Sequence, residues 1–340
     1  MSIKTTHILV IRLSAMGDVA MTVPVLRALT HQYPEFRITV LTRAFFKPFF
    51  RDIKNVTVFT ADVKGEHKGV SGLYKLARKL NKNQHFFAIA DLHNVLRSKV
   101  LKQFLRTKRF VSIDKGRAEK KALVKGKLFE PLKTTHQRYA HVFKVLGYEL
   151  NLSNPQFPEP IVLSEKIISI LGKGSEKRIG IAPFAAHEGK MYPLHLMKMV
   201  IESLSADFQI LLFGGGNNEV EILNQFESSF ENTINVAGKL SLDEELDVIS
   251  NLDVMLSMDS GNAHLAAMLG IKVITVWGVT HPFAGFAPFN QPEDYALLAD
   301  RNKYPRIPTS VYGNKYPEDY REAAGSITPE TVIKKVISII

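Results

Sequence analysis

The chain contains no cysteine among its 340 residues. It can build no disulfide framework, no thiolate metal site and no cysteine nucleophile, and a reducing compartment suits it. Long apolar runs are missing too: nothing approaches the roughly 18 consecutive apolar residues that a membrane-spanning helix needs. The N-terminal run His7 to Ile11 is cut by Arg12 and is too short for a signal peptide, so it reads as a strand and the expected location is the cytoplasm. Negative charge is in deficit as well, with 33 Asp and Glu against 44 Lys and Arg, a formal net charge of +11. A field of that sign attracts phosphates, anionic lipid surfaces or nucleic acid. None of the usual nucleic-acid-binding modules occurs, which leaves a nucleic-acid-binding protein supported by charge alone, and the expectation is no nucleic-acid partner.

At 45% hydrophobic and 23% charged residues the composition is that of a globular protein, and the length favours two domains. Short β-branched apolar runs alternate with helical patterns: HILVIR (7–12), FRITVLT (36–42), NVTVFT (55–60) and FFAIADL (86–92). Val19 to His31 carries Met21, Val25, Ala28 and Leu29 at helical spacing, completing a βαβ unit. Three prolines, Pro155, Pro158 and Pro160, mark a linker. The alternation restarts with RIGIAPF (178–184), FQILLFG (208–214), TINVAG (233–238), LDVMLSMD (252–259) and KVITVWG (272–278). The pattern predicts α/β architecture: a Rossmann-like domain over 1–155, a second over 156–325, and a C-terminal helix over 326–340. Thr328 is the expected N-cap of that helix and Pro329 its first residue. Gln291 to Gly325, rich in Tyr, Pro and Asn, reads as loop. In doubly wound sheets ligands lie beyond the carboxyl ends of the strands, so the loops there are where chemistry is expected, and two such sheets imply a cleft.

The first of these loops, Arg12 to Val19, has a single glycine, Gly17, where a dinucleotide fingerprint has three, which disfavours a nicotinamide cofactor. It offers Asp18 at a helix start, and an Asp there serves equally well as a cap. The strongest local signal is Ser257 to Gly270, a strand running through Asp259, Ser260 and Gly261 into a helix that carries His264 and ends at Gly270. The free N–H groups of such a helix start suit a pyrophosphate. His264 reads either as a core histidine or as part of that opening. Lys190, after the first strand of the second domain, could neutralise a departing diphosphate, although a surface role is the commoner one for any single lysine. The turn from Gly214 to Glu219 resembles a phosphate loop but lacks its Lys-Ser/Thr. Basic residues crowd the stretch from Lys99 to Lys144, where an anion-facing surface and a solvated face are alternative readings.

Together these segments resemble glycosyltransferase family 9, the ADP-heptose:lipopolysaccharide heptosyltransferases. Four blocks carry the resemblance: Ser14-Ala15-Met16-Gly17-Asp18-Val19, Asp91-Leu92-His93-Asn94 with Arg97-Ser98, Lys190-Met191-Tyr192-Pro193, and Asp259-Ser260-Gly261 with His264. The resemblance implies a GT-B fold, two doubly wound domains facing across a cleft, the first binding the acceptor and the second a nucleotide sugar. It implies inverting, metal-independent transfer of a sugar, heptose from ADP-heptose, onto a lipopolysaccharide core or related glycolipid precursor. Asp18 becomes the general base, and Ser14 and Gly17 beside it are expected among the residues that bind the donor. Lys190 and the Ser260-Gly261 helix start hold the diphosphate, and Asp259 and His264 contact donor sugar or phosphate. Gly238 to Leu240 lie by the nucleotide base, Glu219 holds the ribose, and Gly214, Ala185 and Ala186 line the donor. The two alanines depart from the family, which usually offers hydroxyls there, and His281 replaces an expected acid after Thr280. Arg117, Lys120, Lys121 and Arg138 are the residues expected to face an anionic glycolipid acceptor, with peripheral contact at the inner membrane. A GDP- or UDP-sugar as donor, and an epimerase of the same architecture, are the alternatives within the fold.

Overall fold

A computed structural model describes residues 6–83, 85–172 and 177–340. Five parallel strands come first, β1 (His7–Ile11), β2 (Arg37–Thr42), β3 (Val56–Thr60), β4 (Ala88–Asp91) and β5 (Phe110–Ser112), in the spatial order β3-β2-β1-β4-β5. The helices among and after them are α1 (Met16–Ala20), α2 (Thr22–Gln32), α3 (Gly69–Asn83), α4 (Leu96–Phe104), α5 (Arg117–Val124) and α6 (Thr135–Val145). The second sheet has six strands, β6 (Arg178–Ala182), β7 (Gln209–Leu212), β8 (Thr233–Asn235), β9 (Val254–Met258), β10 (Lys272–Trp277) and β11 (Ala296–Leu298), in the order β11-β10-β9-β6-β7-β8. With it come α7 (Glu165–Leu171), α8 (Leu194–Ser205), α9 (Asn217–Ser229), α10 (Leu242–Ile249), α11 (Gly261–Met268) and α12 (Pro329–Ile337).

The apolar runs form strands because a parallel strand is covered on both faces and needs continuous rather than alternating hydrophobicity. β4 and β9 are buried at every residue. Two short strands, β5 and β11, were not anticipated from the sequence, and β11 lies inside the segment expected to be loop. Both are three-residue edge strands, too short to show a period. The helix expected over 19–31 is two, α1 and α2, meeting at Met21.

The strands divide between two compact units. One comprises the chain through Lys115 together with Thr135–Gln156; the other comprises Gly116–Thr134 and Phe157–Ile340. The change of unit at Gln156 falls among the prolines taken as a linker. The segment 116–134, which the sequence assigns to the N-terminal domain, groups with the second unit: Leu132 N donates to Phe283 O at 3.0 Å, and Arg301 stacks on Phe129 at 3.5 Å. The C-terminal helix is capped by Thr328, whose hydroxyl accepts from Thr331 N at 3.3 Å. It is an integral part of the second core, since Val332 and Val336 pack in one cluster with Val200 and Leu204 of α8. Among the described residues no helix is long and apolar enough to cross a membrane.

Truncating Val332 to Ala should therefore weaken the second unit by about 2 kcal/mol. Trp277, the single tryptophan and 1% exposed within that unit, reports its unfolding by fluorescence. An unchanged urea midpoint would show α12 to be dispensable.

Candidate functional site

Each sheet reverses its strand order once. In the first the reversal lies between β1 and β4, in the second between β6 and β9, because after each of these pairs is opened the chain builds outward to opposite sides. The loops leaving such a pair diverge and leave a crevice above their carboxyl ends.

Above β1 and β4 stands Asp18, its side chain 29% exposed. Its Oδ2 pairs with Arg12 Nη2 at 2.5 Å and accepts from Ala15 N at 3.3 Å, the reach-back half of a capping box. Both contacts fall on one oxygen, so Oδ1 is outside them. Tyr139, wholly buried on α6, donates its hydroxyl to Asp18 O at 3.1 Å, and its own ionisation is pushed up by that burial. Arg12 is itself buried, donates to Leu92 O at 2.7 Å, and lies over the Tyr139 ring. Arg12, which in the sequence only ends an apolar run, in the fold holds the Asp18 carboxylate. Ser14 in the same loop and Gly17 in the first turn of α1 are half-buried.

The neighbouring block has a structural explanation. Asp91, fully buried, accepts from His93 N at 3.0 Å, Asn94 N at 2.9 Å and Ser112 Oγ at 3.1 Å, which shapes the turn out of β4. Ser98 closes the start of α4 through its bonds to Val95. Arg97 is exposed. His93 is 6% exposed, and its imidazole is lowered to about 3 by burial first and then by the positive charges of Arg12 and Lys115.

Above β6 and β9 the chain places Lys190 and Asp259 together, Nζ to Oδ2 at 2.9 Å, with both side chains largely buried. Thr280, arriving from β10, donates to the same Oδ2 at 2.9 Å. Gly313 makes room for the lysine: its φ is +75°, and a Cβ there would overlap Cγ and Cδ of Lys190. Gly278 has no room either, because a Cβ would strike Gly189 O, whose bond from Val279 N at 2.9 Å ties the Lys190 turn to β10. Gly261 opens α11 beside this pair, and Ser260 precedes it, its hydroxyl 3.0 Å from Ser257 Oγ. His264 is buried one turn in.

The remaining predicted positions lie on adjoining loops. Ala185 and Ala186 follow β6, one half-buried and one exposed. Gly214 follows β7 and approaches Phe184, and Glu219 Oε2 accepts from Gly215 N at 2.8 Å, which folds that turn. Leu240 is half-buried before α10. His281 caps the next turn by accepting from Phe283 N at 3.2 Å, and burial followed by the charge of Arg301 lowers it to about 4.

The four basic positions separate. Arg117 and Lys121 are exposed on α5, in the second unit, while Lys120 on the same helix is buried with its Nζ 3.9 Å from the Phe286 ring centre. Arg138 is buried on α6, in the first unit, and its guanidinium reaches Asp114 O at 3.5 Å. Lys120 and Arg138 thus act first on their surroundings within the fold. Among the described residues no group of three or more His, Asp or Glu side chains could hold a metal.

Comparison with known proteins addresses the family and the fold. The sequence profile of glycosyltransferase family 9 (heptosyltransferase) matches residues 73–313. The lipopolysaccharide core heptosyltransferase OpsX of Haemophilus influenzae is 25% identical, over 86% of this chain and 84% of its own. A glycosyl transferase family 9 structure from Veillonella parvula superposes with a TM-score of 0.75 at 19% identity, covering 100% of this chain and 98% of that one. The E. coli heptosyltransferase WaaC with ADP gives a TM-score of 0.70 at 17% identity, covering 98% of this chain and 100% of its own.

The His93 environment has a measurable consequence. Between its folded value of about 3 and its ordinary 6.5, the unfolded chain takes up a proton that the folded chain refuses, so stability present above pH 6.5 is lost as the pH falls. Going from pH 7 to pH 5, His93→Gln should lose about 2 kcal/mol less than the parent chain in urea unfolding. Parallel losses would mean that His93 takes a proton in the fold.

Proposed function

The chain belongs to glycosyltransferase family 9 (heptosyltransferase), and on that premise we propose that it transfers a heptose, with inversion, from ADP-heptose to a lipopolysaccharide core or related glycolipid precursor. The observation that carries the reading is the cluster of Lys190, Asp259 and Thr280 beside the start of α11, a buried cation with an adjustable partner next to free backbone N–H groups. Such a place binds a diphosphate, because the helix start and the ammonium both favour negative charge. Relatives with heptosyltransferase names support the choice of sugar.

In this reading the acceptor hydroxyl attacks the anomeric carbon of the donor, and its proton passes to Oδ1 of Asp18. The bond from that carbon to the diphosphate oxygen breaks, and the electron pair leaves with the nucleoside diphosphate. Arg12 and Ala15 N hold Oδ2, which fixes the carboxylate plane while the other oxygen works. Lys190 turns from Asp259 toward the leaving diphosphate, and Asp259, kept in place by Thr280, takes a hydroxyl of the donor sugar. His264, Ser260 and Gly261 complete the phosphate side, while Glu219 and Leu240 border the nucleoside. Arg117 and Lys121 meet anionic groups of the acceptor, and Lys120 supports their helix from within the second unit.

A second reading, a different nucleotide-linked sugar, is favoured by Ala185 and Ala186, which bring no hydroxyl to the donor loop after β6. Calorimetric titration with ADP-, GDP- and UDP-sugars separates the two readings, and a chain that binds no nucleotide diphosphate would dismiss both.

Asp18→Asn should fold and bind donor normally while kcat falls by roughly 10²-fold or more, since Asn caps a helix about as well as Asp but cannot accept the proton. Retention of more than about a tenth of parental kcat would remove Asp18 from the chemistry. Lys190→Ala should weaken donor affinity as well as turnover, because it removes a contact present before and during the reaction.

A further inference from the structure

The basic stretch read from the sequence is divided and partly buried in the fold, yet a coherent basic face exists elsewhere, on α3. Its Lys75, Arg78, Lys79 and Lys82 are spaced three and four apart, so they rise along one side of the helix, and all are exposed. Arg106, exposed beyond α4, joins them along a groove of about 500 Å³. Among the described residues Glu66 is the one carboxylate that lines this groove, where it pairs with Lys79 Nζ at 2.6 Å and faces five cations, so the groove keeps a strong positive excess. The opposite side of α3, Leu73, Leu76, Ala77 and Leu80, is buried in the core of the first unit. The first turns add apolar groups on the outside: Val70 is 61% exposed and Tyr74 is 47% exposed, the latter a turn before Arg78 and in edge contact with Phe104.

We propose that this side of α3 seats the protein on an anionic phospholipid surface. The row of cations from Lys75 to Lys82 extends about 10 Å along the helix axis, the scale of several neighbouring headgroups rather than of one small anion. Val70 and Tyr74 stand where the first turns would enter the headgroup boundary, the combination by which interfacial helices bind. A nucleic acid would use the cations but gains nothing from an exposed valine. The proposal deepens the expected peripheral membrane contact by moving it to α3, and its test is separate from that of the transferase reading because it concerns residues given no part in donor binding or chemistry.

Flotation of the full chain, without nucleotide, on vesicles of phosphatidylcholine with or without phosphatidylglycerol tests it. Binding is expected to the anionic vesicles alone and to fall steeply as salt rises. The triple variant Lys75→Ala, Arg78→Ala, Lys82→Ala should lower the partition coefficient by about 100-fold, since each surface charge contributes several-fold. Lys75→Arg with Lys82→Arg should keep it, as should the equally charge-depleted Lys198→Ala, Lys303→Ala, Lys334→Ala, whose positions lie in the second unit. Val70→Asp should lower it at unchanged basic charge. Thermal unfolding and donor titration should be as in the parent for all of these. Equal binding to neutral vesicles, an unaltered triple variant, equal loss in the control triple, or displacement from the vesicles by single-stranded RNA at matched phosphate would each overturn the proposal.

Discussion

A parallel strand covered on both faces has no place along its length for a charge, because an ion moved there loses its hydration and finds no partner. In this protein the constraint pushes ionic groups to the ends of the strands. Arg12 follows β1, Asp91 ends β4, and Asp259 follows β9, all of them buried. Each must then be compensated locally: Arg12 by Asp18 and Leu92 O, Asp91 by two backbone N–H groups and a serine, Asp259 by Lys190 and Thr280. The loop conformations at the two points of strand reversal follow from those obligations.

The same compensation separates groups that hold the fold from groups left over for a ligand. Asp91 has one oxygen engaged by its own turn and the other by Ser112 of β5, and so has little to offer a substrate. Asp18 has its ion pair and its backbone hydrogen bond on one oxygen and is partly open to solvent, an arrangement compatible with the proposed role of base. Lys190 and Asp259 are intermediate. Each satisfies the other, so a diphosphate would compete with a carboxylate for the lysine, and Asp259, still held by Thr280, would then need a new partner from the ligand.

Much of this was legible in the sequence. The long strands are continuous apolar runs, the α12 cap is spelled by Thr328 and Pro329, and the loops carrying Asp18, Lys190 and Asp259 follow directly from the rule that chemistry gathers at strand ends. What stayed hidden depends on distant pairing. β5 and β11 are strands only because a longer neighbour gives them partners, β4 and β10 respectively. Arg12 looks like a strand breaker until Asp18 is brought to it, and Gly313 looks like a loop glycine until the stem of Lys190 passes over it. The segment 116–134 carries no compositional mark of changing unit, since its packing rests on Phe129, Leu132 and Lys120 meeting residues beyond 280.

Charge was the least reliable guide, for a physical reason. A sequence counts cations, whereas a field depends on which of them face water together. Lys120 is buried over an aromatic ring and Arg138 is buried against a carbonyl, so part of the densest basic stretch is directed into the fold. The α3 cations are no denser along the chain, but helical spacing places them in one row while Leu73, Leu76, Ala77 and Leu80 anchor the other side. The periodicity that secures the helix to its sheet is therefore also what gathers its charge into a single outward face.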